Sequence, residues 1–189
     1  MVETLIAILV AAIGAGTPIV FAALGELITE KSGVLNLGVE GMMLVGAIAG
    51  FAATVLSGNP WLGILAGMAA GAMMATIFAV LTLQLMANQV ASGLALTLFG
   101  VGFSAFIGKP FESVSLGSQA TWVIPLLSDI PFLGPVLFRH HVLVYVSWAL
   151  FIALSVFLYR SRAGLVLRSV GESPESAHAI GYPVIRIRF

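Results

Sequence analysis

The chain has 189 residues, of which 60% are hydrophobic and only 8% charged, and its mean hydropathy is +1.11. A water-soluble domain carries about 25% charged residues; this chain could not cover its own surface with polar groups, so lipid must solvate much of it. The formal net charge of zero argues against a nucleic-acid partner, and the lack of cysteine excludes a disulfide framework, a thiolate metal site and a cysteine nucleophile.

Five stretches approach the roughly 20 apolar residues that a helix needs to cross the hydrocarbon core. The first runs from Thr4 to Ile28 and is interrupted by Gly14, Gly16 and Pro18; it lacks a basic leader and a small-residue cleavage site, so it reads as a retained span. The second is Val34 to Leu56, the third Trp61 to Leu83, the fourth Val90 to Ile107 and the fifth Val142 to Tyr159. Continuous apolar runs must be helices in lipid, because the backbone has to satisfy its own hydrogen bonds; a β-barrel would alternate instead. The expected fold is therefore all-α, a polytopic transmembrane helical bundle over 1–159 followed by a polar segment over 160–189.

Glu30-Lys31-Ser32-Gly33 and Ser57-Gly58-Asn59-Pro60 separate the first three spans. Between the fourth and fifth, residues 108–141 hold four prolines and read as an ordered external loop or an interfacial segment. With five spans and a cytoplasmic C-terminus, six basic residues lie inside (Lys31, Arg160, Arg162, Arg168, Arg186, Arg188) and two outside (Lys109, Arg139), which the positive-inside rule favours. The N-terminus is then external.

Gly63, Gly67 and Gly71 recur every fourth residue in the third span, and Gly46 and Gly50 do so in the second. Such faces let helix backbones approach closely, although glycine is common enough in membrane helices for the spacing to arise by chance. Neither reading gives a function.

Ionisable groups at a helix centre cost roughly 2.5–3.5 kcal/mol on insertion scales, so Glu26 and Glu40 need an explanation. Asn36 stands one helical turn before Glu40, in a glycine-punctuated run from Gly33 to Gly41 of the kind that broken helices show near a solute pathway. The plainer alternative is that both acids lie near the headgroups and tie helices together. Asn36, Glu40, Gly41 and Leu44 are echoed by Asn88, Ser92, Gly93 and Leu96 at an offset of 52 residues. Through that echo, Asn88, Gln89 and Ser92 join Glu26, Asn36 and Glu40 as candidates to line an inner vestibule. His140 and His141 are adjacent, so they cannot share a helical face as metal ligands; they read as interface residues.

In the tail, Ser173 can cap a helix that Pro174 starts and Gly181 stops, a stretch of about two turns over 174–180. A helix this short is marginal alone in water and needs a surface to dock on; a lipid-bound or disordered tail is the alternative.

Glu175-Ser176-Ala177, followed three residues later by Gly181, resembles the E-A-A-x-x-x-G coupling loop of ATP-binding-cassette importer permeases, with Ser176 a departure from the usual second position. Gly25-Glu26 with Thr29-Glu30, the run Ser32 to Met43, and Asn88-Gln89-Val90 with Ser92-Gly93-Leu94 resemble the branched-chain amino-acid and ribose type permeases, most closely the nucleoside branch that depends on a Bmp-type lipoprotein. Asp129-Ile130-Pro131 with Leu133-Gly134 fits that branch too.

This resemblance implies a transport subunit of the plasma (inner) membrane with no catalytic residues and no cofactor. It would work with an ATP-binding subunit in the cytoplasm, an external solute-binding lipoprotein and a second permease subunit. Gly171, Glu172, Pro174, Glu175, Ala177 and Gly181 would form the joint with the ATPase, which must be a separate chain because no G-x-x-x-x-G-K-[ST] phosphate loop occurs here. The family's permeases continue with further spans past the coupling loop, so these residues look like an N-terminal portion. The solute would be a nucleoside or a sugar. The rival function is a secondary transporter or channel that uses Glu26 or Glu40 as its ion site.

Overall fold

The computed structural model describes residues 1–117, 121–123, 127–128 and 130–189. Pro125 and Asp129, assigned above to the external loop, lie outside the described residues. Among those described, five helical stretches are long and apolar enough to cross a membrane: Val2–Lys31, Val39–Ser57, Pro60–Gln84, Gln89–Phe111 and Val142–Arg160. The chain is an α-helical multi-pass membrane protein. It divides into two compact units, Met1–Gly25 with Gly117–Ser161 and Glu26–Leu116 with Arg162–Phe189.

The first unit holds most of α1 (Val2–Lys31), a small antiparallel ladder, and α5 (Leu133–Phe138) and α6 (Val142–Arg160). Gly14, Gly16 and Pro18 do not interrupt α1. A proline leaves the carbonyl one turn earlier without its donor; beside it, the Thr17 hydroxyl donates to the Ile13 carbonyl at 2.8 Å. In the segment after residue 117, β1 (Trp122–Val123) pairs with β2 (Arg139–His140), Trp122 opposite His140. His140 is buried, with Nε2 2.7 Å from the Val136 carbonyl, and its N–H donates to the Tyr145 hydroxyl. His141 caps α6 by accepting the Leu143 N–H on Nδ1. The adjacent histidines thus fasten the end of this segment to the start of α6.

The second unit is built on α2 (Val39–Ser57), α3 (Pro60–Ala79) and α4 (Gln89–Gly108), with a core of Val34, Met42, Val45, Ala70, Met74, Phe78, Leu83 and Leu96. Backbone contact at glycines makes both seams of α2. Toward α3, a Cβ on Gly50 would stand 3.0 Å from the Gly63 carbonyl and one on Gly67 3.0 Å from that of Gly46. Gly71, the third member of the spaced set, faces open space. Toward α4 the approach is closer: a Cβ on Gly100 would lie 2.5 Å from the Gly41 Cα. The spacing therefore marks packing at Gly63 and Gly67 and nothing at Gly71.

Two breaks bound α4 and α2. α3 ends in a π-helical turn, Val80–Gln84, followed by Met86 at φ 53°, and Asn88 then caps α4 by accepting the Ala91 N–H. Helix α2 begins at Val39, not at Val34 as the apolar run suggests, so Asn36 precedes the helix and does not share a helical face with Glu40.

The polar tail carries more structure than its one expected helix. α7 (Arg162–Glu172) is amphipathic, burying Gly164, Leu167 and Val170 at a spacing of three. α8 (Pro174–Ala179) ends one residue before the expected Ile180, and α9 (Val184–Arg188) packs against α7, α8 and the π-helical turn. Ser173 does not cap α8 through its side chain; its hydroxyl donates to that of Ser176 at 2.7 Å instead.

Candidate functional site

Between α1 and α2 the chain turns at residues 32–33, runs without helix or strand through 34–36 and turns again at 37–38. Burial alternates along it: Ser32, Val34, Asn36 and Gly38 are buried, while Gly33, Leu35 and Leu37 are exposed. The N–H groups of Ser32, Gly33 and Val34 donate back to carbonyls in the last turns of α1. Beyond them the stretch has no hydrogen-bond ladder, so in apolar surroundings its backbone groups need partners from elsewhere, and side chains supply them. Gln89 Oε1 accepts from the Leu35 N–H at 2.8 Å, Glu26 Oε1 from the Asn36 N–H at 3.1 Å, and the Thr97 hydroxyl donates to the Leu37 carbonyl at 2.9 Å. Asn36 Oδ1 accepts from the Gly38 N–H at 2.9 Å, which frames the start of α2, while its amide nitrogen faces the Met42 sulfur at 3.5 Å.

Three of the six vestibule candidates, Glu26, Asn36 and Gln89, therefore meet on one unwound segment. Asn88 acts as the cap of α4, Glu40 is exposed in the first turn of α2, where a carboxylate suits the helix dipole, and Ser92 is half-buried in α4. The repeat with an offset of 52 residues has a structural counterpart. A Cβ on Gly93 would come within 2.9 Å of the Leu37 nitrogen, and one on Gly41 would lie 2.5 Å from the Leu96 carbonyl, so the two echoed stretches pack on each other.

Sequence reading missed Thr97. Hydroxyls in apolar helices usually bond back to their own helix, as Thr54 and Thr82 do here, and nothing in the spacing of Thr97 marks it as the exception.

The coupling candidates lie on α7 and α8. Gly171 seats the end of α1: a Cβ there would collide with the Lys31 carbonyl and stand 3.0 Å from the Gly33 nitrogen. Ala177 is buried, whereas Glu175 and Ser176 on the same short helix are exposed, as is Glu172 at the end of α7. Pro174 occupies the first turn of α8, where its missing N–H is harmless. Gly181, at φ 94°, reverses the chain, with its N–H donating to the His178 carbonyl and that of Tyr182 to the Ala177 carbonyl. The result is a docked helix of six residues that turns one acidic face outward. Nearby, a cavity of about 150 Å³ is lined by Thr29, Asn36, Thr76, Phe78, Leu83 and Arg188 among others.

Membrane-length helices joined by an unwound stretch that polar side chains hold define the class as a multi-pass integral membrane protein. The chain belongs to the family described as branched-chain amino acid transport system, permease component, whose model matches residues 8–189. It is similar to the "Putative glucose ABC transporter permease protein TsgC13" of Haloferax volcanii, at 42% identity over 95% of this chain and 56% of that protein. It is also similar to the nucleoside ABC transporter permease protein NupC of Lactococcus lactis, at 32% identity over 92% of this chain and 58% of that protein. The guanosine ABC transporter permease protein NupQ of Bacillus subtilis is 34% identical over 100% of this chain and 63% of its own length. The chain thus spans 56–63% of the length of these relatives. No solved structure matches it.

Proposed function

We propose that the protein forms part of the translocation pathway of an ATP-binding-cassette importer for a small hydroxylated solute, a nucleoside or a sugar. The observation that carries this reading is α8, which presents Glu175 and Ser176 to solvent while Ala177 anchors it and Gly181 turns the chain back. Membership of a permease family and the names of the relatives, glucose on one side and nucleosides on the other, support the solute class. Hydrolysis takes place on a cytoplasmic ATP-binding subunit that receives α8. An external solute-binding lipoprotein delivers the solute, and a second permease subunit completes the path. The N-terminus is external and the segment 160–189 cytoplasmic.

In this mechanism the closing ATPase pushes on α8, and α7 carries the displacement to the end of α1 through the seat at Gly171. Glu26, Asn36 and Gln89 hold the unwound stretch that moves, with Asn88, Ser92 and Glu40 beside it at the starts of α4 and α2. The alternative is a secondary transporter or channel that uses Glu26 or Glu40 as its ion site.

The test is purification from membranes of the source cell followed by mass spectrometry and reconstitution. The expected result is a co-purifying ATPase with a phosphate loop, a solute-binding lipoprotein, and uptake that requires ATP. Replacing Glu175 by Ala should then lower uptake per ATP hydrolysed without loss of folded protein. Uptake that runs on an ion gradient with no ATPase present would overturn the reading.

A further inference from the structure

One residue outside every expected site joins the tail to the unwound stretch. Arg188, in α9, donates from Nε to the Ser32 carbonyl at 2.9 Å and from Nη2 to the Val170 carbonyl at 3.2 Å. Ser32 immediately follows the last turn of α1, and Val170 lies in the last turn of α7. Helix C-termini leave carbonyls without intrahelical donors and carry partial negative charge. A single guanidinium thus bridges two such ends, and its planar fork suits the task where an ammonium would reach one carbonyl at a time.

The seat around it is tight. Gly33 stands at φ 81°, and a Cβ there would lie 2.7 Å from Arg188 Nη2 and 3.0 Å from the Gly171 carbonyl. Gly171 in turn lies directly against the Lys31 carbonyl. Backbone therefore meets backbone at residues 31–33 and 171, with Arg188 closing the third side. Immediately downstream are Leu35 and Asn36, whose N–H groups are held by Gln89 and Glu26. The same α9 rests on the π-helical turn of α3, an irregularity of the kind that recurs at functional sites.

We propose that Arg188 is a positioning residue that transmits the placement of the tail helices to the unwound segment 32–38. The consequence for transport rests on the importer reading above; the seat itself does not. Residues 1–189 hold no cysteine, so labelling of the peptide that carries a cysteine introduced at Leu35, whose side chain is exposed, reports on the segment. The experiment measures the rate at which a membrane-permeant maleimide labels Leu35→Cys, in the full assembly in native membranes. Leu56→Cys, in α2 and exposed, serves as the control.

With Arg188→Ala the rate at position 35 should rise about tenfold and that at position 56 should not change, since two charge-assisted bonds to backbone are lost. Arg188→Lys, keeping one bond, should give a smaller rise. In reconstituted assemblies Arg188→Ala should also lower uptake per ATP hydrolysed. An unchanged rate at position 35, or an equal rise at both positions, would overturn the proposal, as would a selective rise with uptake per ATP intact. A selective rise in an assembly that shows no ATP-driven uptake even without the substitution would leave the seat standing and remove the importer reading.

Discussion

The seams of α2 and the unwound stretch before it are held by different means. Along the seams the helices touch through bare backbone at Gly41, Gly46, Gly50, Gly63, Gly67 and Gly100. The stretch 32–38 has such contacts at its two ends, Gly33 on Gly171 and residues 37 and 38 on Gly93, and adds individual hydrogen bonds from Gln89, Glu26 and Thr97 to its backbone at 35, 36 and 37. A steric seam responds to change all at once, because any added atom must displace backbone. A hydrogen-bonded segment responds in increments, one bond at a time. The hydrogen-bonded middle of the stretch can therefore adjust where its ends and the seams of α2 cannot.

The sharpest way to break that contrast is at Gly100. Gly100→Ala places a Cβ against three backbone atoms of Gly41, so α2 and α4 must separate, and about 3 kcal/mol of stability should be lost. A fall in the apparent Tm of detergent-solubilised protein reads it, and an unaltered Tm would mean the seam yields easily.

Next in size is Glu26→Ala. It leaves the Asn36 N–H without its partner at a cost of about 2 kcal/mol, whereas Glu26→Gln keeps an acceptor and should cost less than about 1 kcal/mol. Finding the two variants equally damaged in thermal unfolding would show that charge, and not the bond to the segment, is what Glu26 contributes.

Gly181→Ala forces a side chain into φ 94° and should cost about 1 kcal/mol. The loss should be local to α8, so hydrolysis per assembly should persist while uptake falls. The smallest effect is expected at Gly71→Ala, where nothing lies within 4 Å; within about 0.5 kcal/mol the stability should not move. A large loss there would mean that another helix covers this face in the assembled protein.

Much of this was legible beforehand, for reasons that vary by element. The spans at 61–83, 90–107 and 142–159 come close to Pro60–Gln84, Gln89–Phe111 and Val142–Arg160, because Asn59-Pro60, Asn88 and His141 are chemically suited to starting helices. The second span was placed five residues early because Val34, Leu35 and Leu37 are as apolar as any helix in lipid. Hydropathy cannot distinguish an apolar residue in a helix from one in an extended segment with borrowed hydrogen bonds. The glycines at 33, 38 and 41 and the asparagine at 36 were the available clue.

Of the polar candidates, Glu26 stands out because lipid makes an acid expensive, Asn36 through the glycine-punctuated run around it and Gln89 through its place in the echoed stretch. Arg188 does not, since an arginine in a polar tail is ordinary until its two carbonyl partners, separated from it by 156 and 18 residues, are known. Gly171 is named with the expected coupling residues, but its contact with the end of α1 is set by tertiary fold alone.

The alternating burial of residues 32–38 also limits how that stretch can travel. A shift of one residue along its own path would expose Val34 and Asn36 and bury Gly33, Leu35 and Leu37, inverting the whole pattern. Lengthwise travel is therefore opposed by burial as well as by hydrogen bonds, and any rearrangement of the stretch has to keep Val34 and Asn36 covered.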